Sequence, residues 1–263
     1  MFRTPKSDVL TVVLLTLAMS ITAVTTSARP ANAVTCTPDG GGNYFDGYYH
    51  NPNAWPQYNW EGASAYIVVR WPLASCSDGF MPWTYAWVMI GSGDGGPGDG
   101  WGQSGYMRYT ASDFSVQLQH VFQFANDTNR SGRLGDTAGE LHTIYVGTPA
   151  TGDKPAYRVL WNANCSCLQG SVDGVVYASS GFNPFTQQWR LPLVPQFMGE
   201  AKYQTGNMPG TAAQPAAFSA LGAQRYSDDV LVPMSCSMYG VDDNTAMWGR
   251  AASSCTAFTI WQK

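Results

Sequence analysis

The chain has 263 residues, of which 44% are hydrophobic, 13% aromatic and only 12% charged, with a formal net charge of −4. Its 10 Trp, 14 Tyr and 11 Phe exclude a charge-rich disordered chain, since that much aromatic surface must be buried. The acidic balance excludes a nucleic-acid-binding surface, and 28 Gly and 16 Pro beside only three Glu favour turns over helices.

In chain order, the first element is a secretory leader. Arg3 and Lys6 form a basic start, 9–19 is an apolar run, and Ala31-Asn32-Ala33 is a small-x-small cleavage site. The run is too short and too interrupted for a membrane span. Cleavage after Ala33 removes three basic residues and one acid, leaving a mature net charge of −6 and no membrane attachment. The expected organisation is a signal peptide at 1–33, an N-terminal extension at 34–61, a β-sandwich at 62–226, and a disulfide-linked extension of the same domain at 227–263.

Beyond the leader, period-two patterns dominate. The stretch 115–124 alternates apolar with polar residues almost throughout, and shorter strand-like runs fall at 65–71, 85–90, 141–146, 157–161 and 172–178. Asp173-Gly174 and Gly181-Phe182-Asn183-Pro184 read as turns. The least structured part is 91–105, where eight of fifteen residues are glycine. No stretch of a dozen residues carries a 3.6-residue period, so the fold expected is all-β, a two-sheet antiparallel sandwich.

All six cysteines follow the leader, as disulfides in an oxidising compartment would. Cys236 with Cys255 is the preferred pair, Cys36 and Cys76 are also expected to be bonded, and the close neighbours Cys165 and Cys167 stay open. His50, His120 and His142 lack zinc-site spacing, and Asp94 and Asp99 read better as a solvated turn than as calcium ligands. No metal or cofactor is expected. Asn126, Asn129 and Asn164 each open a glycosylation acceptor pattern.

Two segments carry chemistry. In Gly100-Trp101-Gly102-Gln103-Ser104-Gly105-Tyr106, one amide stands among glycines that let a ligand approach the backbone. In Phe197-Met198-Gly199-Glu200-Ala201-Lys202-Tyr203, followed by Met208-Pro209-Gly210, one glutamate lies inside an apolar strand-like run. Burial there would raise its pKa toward neutrality. Glu61 and Glu140 stand in polar, turn-like surroundings. An outward-pointing Glu200, or one paired with Lys202 or Arg190, is the plainer reading.

These two segments, in this order, resemble the neprosin domain, a secreted family that includes glutamic endopeptidases, over about 62–224. The resemblance implies a two-sheet antiparallel sandwich similar to the concanavalin-like jelly roll. The first of that family's two glutamates is Gln103 here, which cannot shuttle protons. The eqolisin glutamic peptidases pair a Gln with a Glu, so the resemblance implies Glu200 as general base and Gln103 as oxyanion donor. Trp101, Tyr106, Trp189 and Tyr203 would then bind an extracellular polypeptide. The alternative is a non-catalytic polysaccharide-binding module, in which Trp55, Trp60, Trp101 and Trp189 stack on sugar rings. A secreted structural or interaction protein is the third reading. A conventional glycosidase ranks last, because no carboxylate pair stands out.

Overall fold

The computed structural model describes residues 43–50, 60–71, 83–92, 100–110, 115–125, 141–180, 192–202 and 206–263. These lie in one compact unit, Asn32–Lys263. The leader at 1–33, Cys36, Cys76, Asp94, Asp99, Asn126, Asn129, Glu140, Trp55, Trp189 and Tyr203 lie outside the described residues.

Fifteen strands follow one another without a helix among the described residues. They are β1 Tyr44–His50, β2 Trp60–Ile67, β3 Thr84–Gly91, β4 Trp101–Thr110 and β5 Val116–Ala125. Next come β6 Leu141–Tyr145, β7 Ala156–Asn162, β8 Cys167–Val172, β9 Val175–Ser179 and β10 Val194–Ala201. The last five are β11 Ala216–Arg225, β12 Leu231–Pro233, β13 Met238–Asp242, β14 Trp248–Ser254 and β15 Ala257–Gln262. One sheet runs β13-β1-β10-β3-β4-β5-β6 and the other β14-β15-β11-β2-β7-β8-β9, with β12 beside β11. Neighbouring strands pair antiparallel. The protein is thus a two-sheet antiparallel sandwich of jelly-roll type, as the alternating pattern predicts.

The core lies between the sheets. Ala86, Val88, Ile90, Tyr106, Phe122 and Phe197 face it from the first sheet, and Ala63, Ile67, Val159, Leu168, Phe218 and Phe258 from the second. The expected turn at Asp173-Gly174 closes the β8–β9 hairpin. Both residues have positive φ, 51° and 81°, which a two-residue hairpin loop requires. The 34–61 stretch supplies β1 to the first sheet, and 227–263 supplies β12 to β15, strands of both sheets.

The first sheet also carries a hydrophobic cluster on its outer face, built on Tyr85, Trp87, Met107, Val121 and Met198. Its central strands are therefore buried on both faces, and all eight residues of β10 are buried. Strands in that position read as near-continuous apolar runs rather than alternating ones.

Candidate functional site

Strand register arranges the outer face of the first sheet into transverse rows, because side chains of one face recur every second residue. One row crosses all seven strands as Tyr239, Tyr49, Gln196, Met89, Gln103, Gln123 and Thr143. A second, apolar row holds Val241, Met198, Trp87, Gly105, Val121 and Tyr145. A third holds Phe45, Glu200, Tyr85, Met107 and Gln119.

The first row is a polar track. Gln103 Nε2 donates to Gln123 Oε1 at 2.7 Å, and Gln123 Nε2 donates to Thr143 Oγ1 at 2.8 Å. Each amide is oriented by the next, so the ladder presents its hydrogen-bonding groups in fixed directions. At the far end the rings of Tyr49 and Tyr239 lie 5.7 Å apart, and Tyr239 is 49% exposed. Tyr49, Met89, Gln123 and Thr143 are half-buried. Beside the ladder, Tyr109 stacks on Tyr145 at 5.2 Å, and Tyr145 is 45% exposed.

Glu200 belongs to the third row. It is 5% exposed, and its Oε2 accepts the Trp87 indole N–H at 2.6 Å. Phe45 meets the Trp87 ring edge-on at 6.2 Å. Burial pushes the carboxyl up to about 7, against the Trp87 hydrogen bond, the Lys202 charge and the Asn43 amide, which all favour the charged form. Burial, and then the Glu200 charge, hold the Tyr85 phenol well above its ordinary value. Among the described residues, Glu200 is the one buried carboxylate on this face.

Gln103 and Glu200 share the face but are not brought together. Their rows lie four residues apart along the strands and their strands are two apart, a backbone separation of roughly 16 Å. Trp101 is half-buried on the same face as Gln103, whereas Tyr106 turns into the core at 0% exposure. Its hydroxyl accepts from Arg70 N at 3.0 Å, so it is closed to any substrate on the outer face. Cys236 bonds Cys255, and Cys165, left open by the sequence, bonds Cys167.

Two buried acids escaped the sequence reading. Glu61, expected in turn-like surroundings, opens β2 and is 0% exposed, because the strand begins one residue before it. Asp46, also 0% exposed, faces inward from β1. Burial, only partly offset by the Arg250 charge, pushes Asp46 up to about 7. Its signal was a lone acid in the aromatic run Tyr44-Phe45-Asp46-Gly47-Tyr48-Tyr49.

No family model and no curated protein sequence matches the chain. Among solved structures, a Crh5 transglycosylase in complex with NAG is 15% identical over 55% of this chain and 48% of its own, with a TM-score of 0.29. A glycoside hydrolase family 16 endo-glucanase from Bacteroides ovatus is 16% identical over 55% of this chain and 56% of its own, with a TM-score of 0.31. A kappa-carrageenase from Pseudoalteromonas carrageenovora is 11% identical over 78% of this chain and 65% of its own, with a TM-score of 0.32. The chain spans about half the length of the first two. The resemblance to the neprosin domain is corrected, since no family model matches the chain, and the glutamic peptidase reading that rested on it goes with it; the solved structures it is similar to are a transglycosylase, an endo-glucanase and a carrageenase.

Proposed function

We propose that the protein is a secreted β-sandwich that binds polysaccharide along the outer face of its first sheet. The observation that carries this reading is the transverse row from Tyr239 to Thr143. It joins a tyrosine pair at one edge to the Gln103–Gln123–Thr143 ladder at the other. Sugars ask for this combination: aromatic faces to cover their C–H faces, and fixed amides or hydroxyls to meet their hydroxyl groups. Seven strands make the row about 29 Å long, the span of an oligosaccharide rather than a single sugar. Gln103 and Gln196 are only 5% and 7% exposed, so contact falls to Tyr239, Tyr49, Gln123 and Thr143, which Gln103 helps to orient. Glu200 has no part in this reading, since Trp87 holds its Oε2 and it lies two rows from the track. A second strip, the stacked Tyr109 and Tyr145, borders the track on the β6 side.

The test is retention of the purified protein on a panel of insoluble polysaccharides, with a glycan array beside it. Wild type is expected to be retained on at least one polysaccharide. Tyr49→Ala/Gln123→Ala is expected to elute at least tenfold more readily with its fold intact. No retention of wild type on any member, or undiminished retention of the double variant, would overturn the proposal.

A further inference from the structure

Gln123 stands in the polar track with its amide only half used by the ladder. Its Oε1 accepts one N–H, from Gln103, and its Nε2 donates one, to Thr143 Oγ1. A primary amide has two N–H groups and two lone pairs on its oxygen, so one donor and one acceptor remain. Thr143 accepts through its oxygen, which leaves its O–H to donate. Gln103 is 5% exposed, so the ladder's groups that meet a ligand are those of half-buried Gln123 and Thr143.

These groups lie in surroundings without positive charge. Among the described residues, Arg108 is the only Lys or Arg in the seven strands of this sheet. It is 6% exposed and, by alternation, turns to the face opposite Gln103. Lys202 follows β10 with the parity of Gln196, but six residues on, about 20 Å along the strand direction. The charge that the face does carry is acidic, at Glu200, and the whole chain has a net charge of −4.

A sugar hydroxyl donates and accepts at once, so it matches a donor set beside an acceptor. A carboxylate or sulfate only accepts, and it needs the charged donors of Arg or Lys to offset the loss of its water. On this track it would meet neutral donors, the remaining Gln123 lone pair and an acidic field. Tyr49 and Tyr239 cover ring faces and supply no cation. We propose that the track selects uncharged polysaccharides, whose polar contacts are hydroxyl groups, and rejects uronate and sulfated chains. This selection rests on the polysaccharide-binding reading above.

The experiment runs the purified protein through native gels carrying a soluble neutral polysaccharide (β-glucan, galactomannan or glucomannan) or an acidic one (alginate, pectate or kappa-carrageenan). Any complex found is then titrated at low and high salt. Retardation is expected from at least one neutral polysaccharide and from no acidic one. The Kd of the neutral complex is expected to change less than about twofold between roughly 0.05 and 0.5 M NaCl, because no charges are paired in it. Thr143→Val keeps the side chain's shape, removes its O–H, and is expected to weaken that complex about fivefold. Retardation by any acidic polysaccharide would overturn the selection while leaving the binding reading in place. A strongly salt-dependent neutral complex, or Thr143→Val binding as tightly as wild type, would do the same. Retardation by no polysaccharide at all would overturn both.

Discussion

The indole N–H of Trp87 donates to Glu200 Oε2 at 2.6 Å, and the two residues sit on neighbouring strands one row apart. The bond holds a carboxyl that burial would otherwise drive fully into its neutral form. It also explains how a glutamate can occupy the middle of an apolar strand. The acceptor is satisfied within the sheet's own outer cluster, between Phe45 and Tyr85 in its row.

This arrangement sets a pH dependence. Glu200 titrates at about 7 in the folded protein against 4.5 ordinarily, so the folded state keeps its proton to higher pH than the unfolded chain does. Its contribution to stability is therefore full below pH 4.5, falls as pH climbs to 7, and is flat above. The loss amounts to on the order of 3 kcal/mol. Asp46 is displaced in the same direction, from 3.8 to about 7, and adds to the fall over the same window. Glu200→Gln keeps the shape and an acceptor for Trp87 without a charge. Urea midpoints between pH 4 and 8 should therefore fall less steeply for the variant than for wild type. Equal slopes would refute the assignment.

Asp46 and Arg250 make a second measurable pair, reaching from β1 of one sheet to β14 of the other. Arg250 Nη1 donates to Asp46 Oδ1 at 3.1 Å, to Gly47 O at 2.8 Å and to Val241 O, while its guanidinium lies 4.7 Å over the Tyr48 ring. Arg250→Met should cost about 3–5 kcal/mol, since it strands a buried carboxylate and two carbonyls. The cost should be greater at pH 8 than at pH 5, where Asp46 can take a proton. Asp46→Asn/Arg250→Met should cost less than Arg250→Met alone, and denaturant titrations of wild type, Asp46→Asn, Arg250→Met and the double variant provide the cycle.

How far the site could be read from the chain is clearest at 101–106. Period-two alternation puts Trp101 and Gln103 on one face and Tyr106 on the other, so parity alone separates Tyr106 from the amide. What alternation cannot supply is register between strands distant in sequence. Gln103 and Glu200 share a face by parity, yet a four-residue offset along the strands keeps them apart, and register is set by turns and packing far away. The polar row was illegible for the same reason, since its seven members come from seven separate strands. Glu200 stood out because its neighbours are apolar, and Glu61 was missed because the polar residues before it hid the start of β2.

The Gly199-Glu200 segment and the Met208-Pro209-Gly210 turn, which carried the resemblance to a peptidase family, meet through packing. A Cβ at Gly199 would come within 2.4 Å of Ile260 Cδ1 and 2.8 Å of Met208 Sδ. Gly199→Ala should therefore destabilise the protein by about 1–3 kcal/mol through overpacking. Met208→Ala, which vacates part of that space, should lessen the penalty when combined with it. Additive effects in thermal melts would show that the two segments do not press on each other.

The two disulfides should differ in worth because they close loops of different length. Cys236 and Cys255 are 19 residues apart and join the segment between β12 and β13 to the β14–β15 turn. Loop-closure entropy for that span is about 3 kcal/mol, whereas a bridge across two residues constrains the unfolded chain by roughly half as much. Cys165 and Cys167 form such a bridge in the β7–β8 turn, and Cys167 is 2% exposed, so alanine suits its apolar surroundings. Cys236→Ala/Cys255→Ala is thus expected to lower the urea midpoint about twice as far as Cys165→Ala/Cys167→Ala. The reverse order would mean that the short bridge holds the hairpin itself in shape, a folded-state role that loop entropy does not account for.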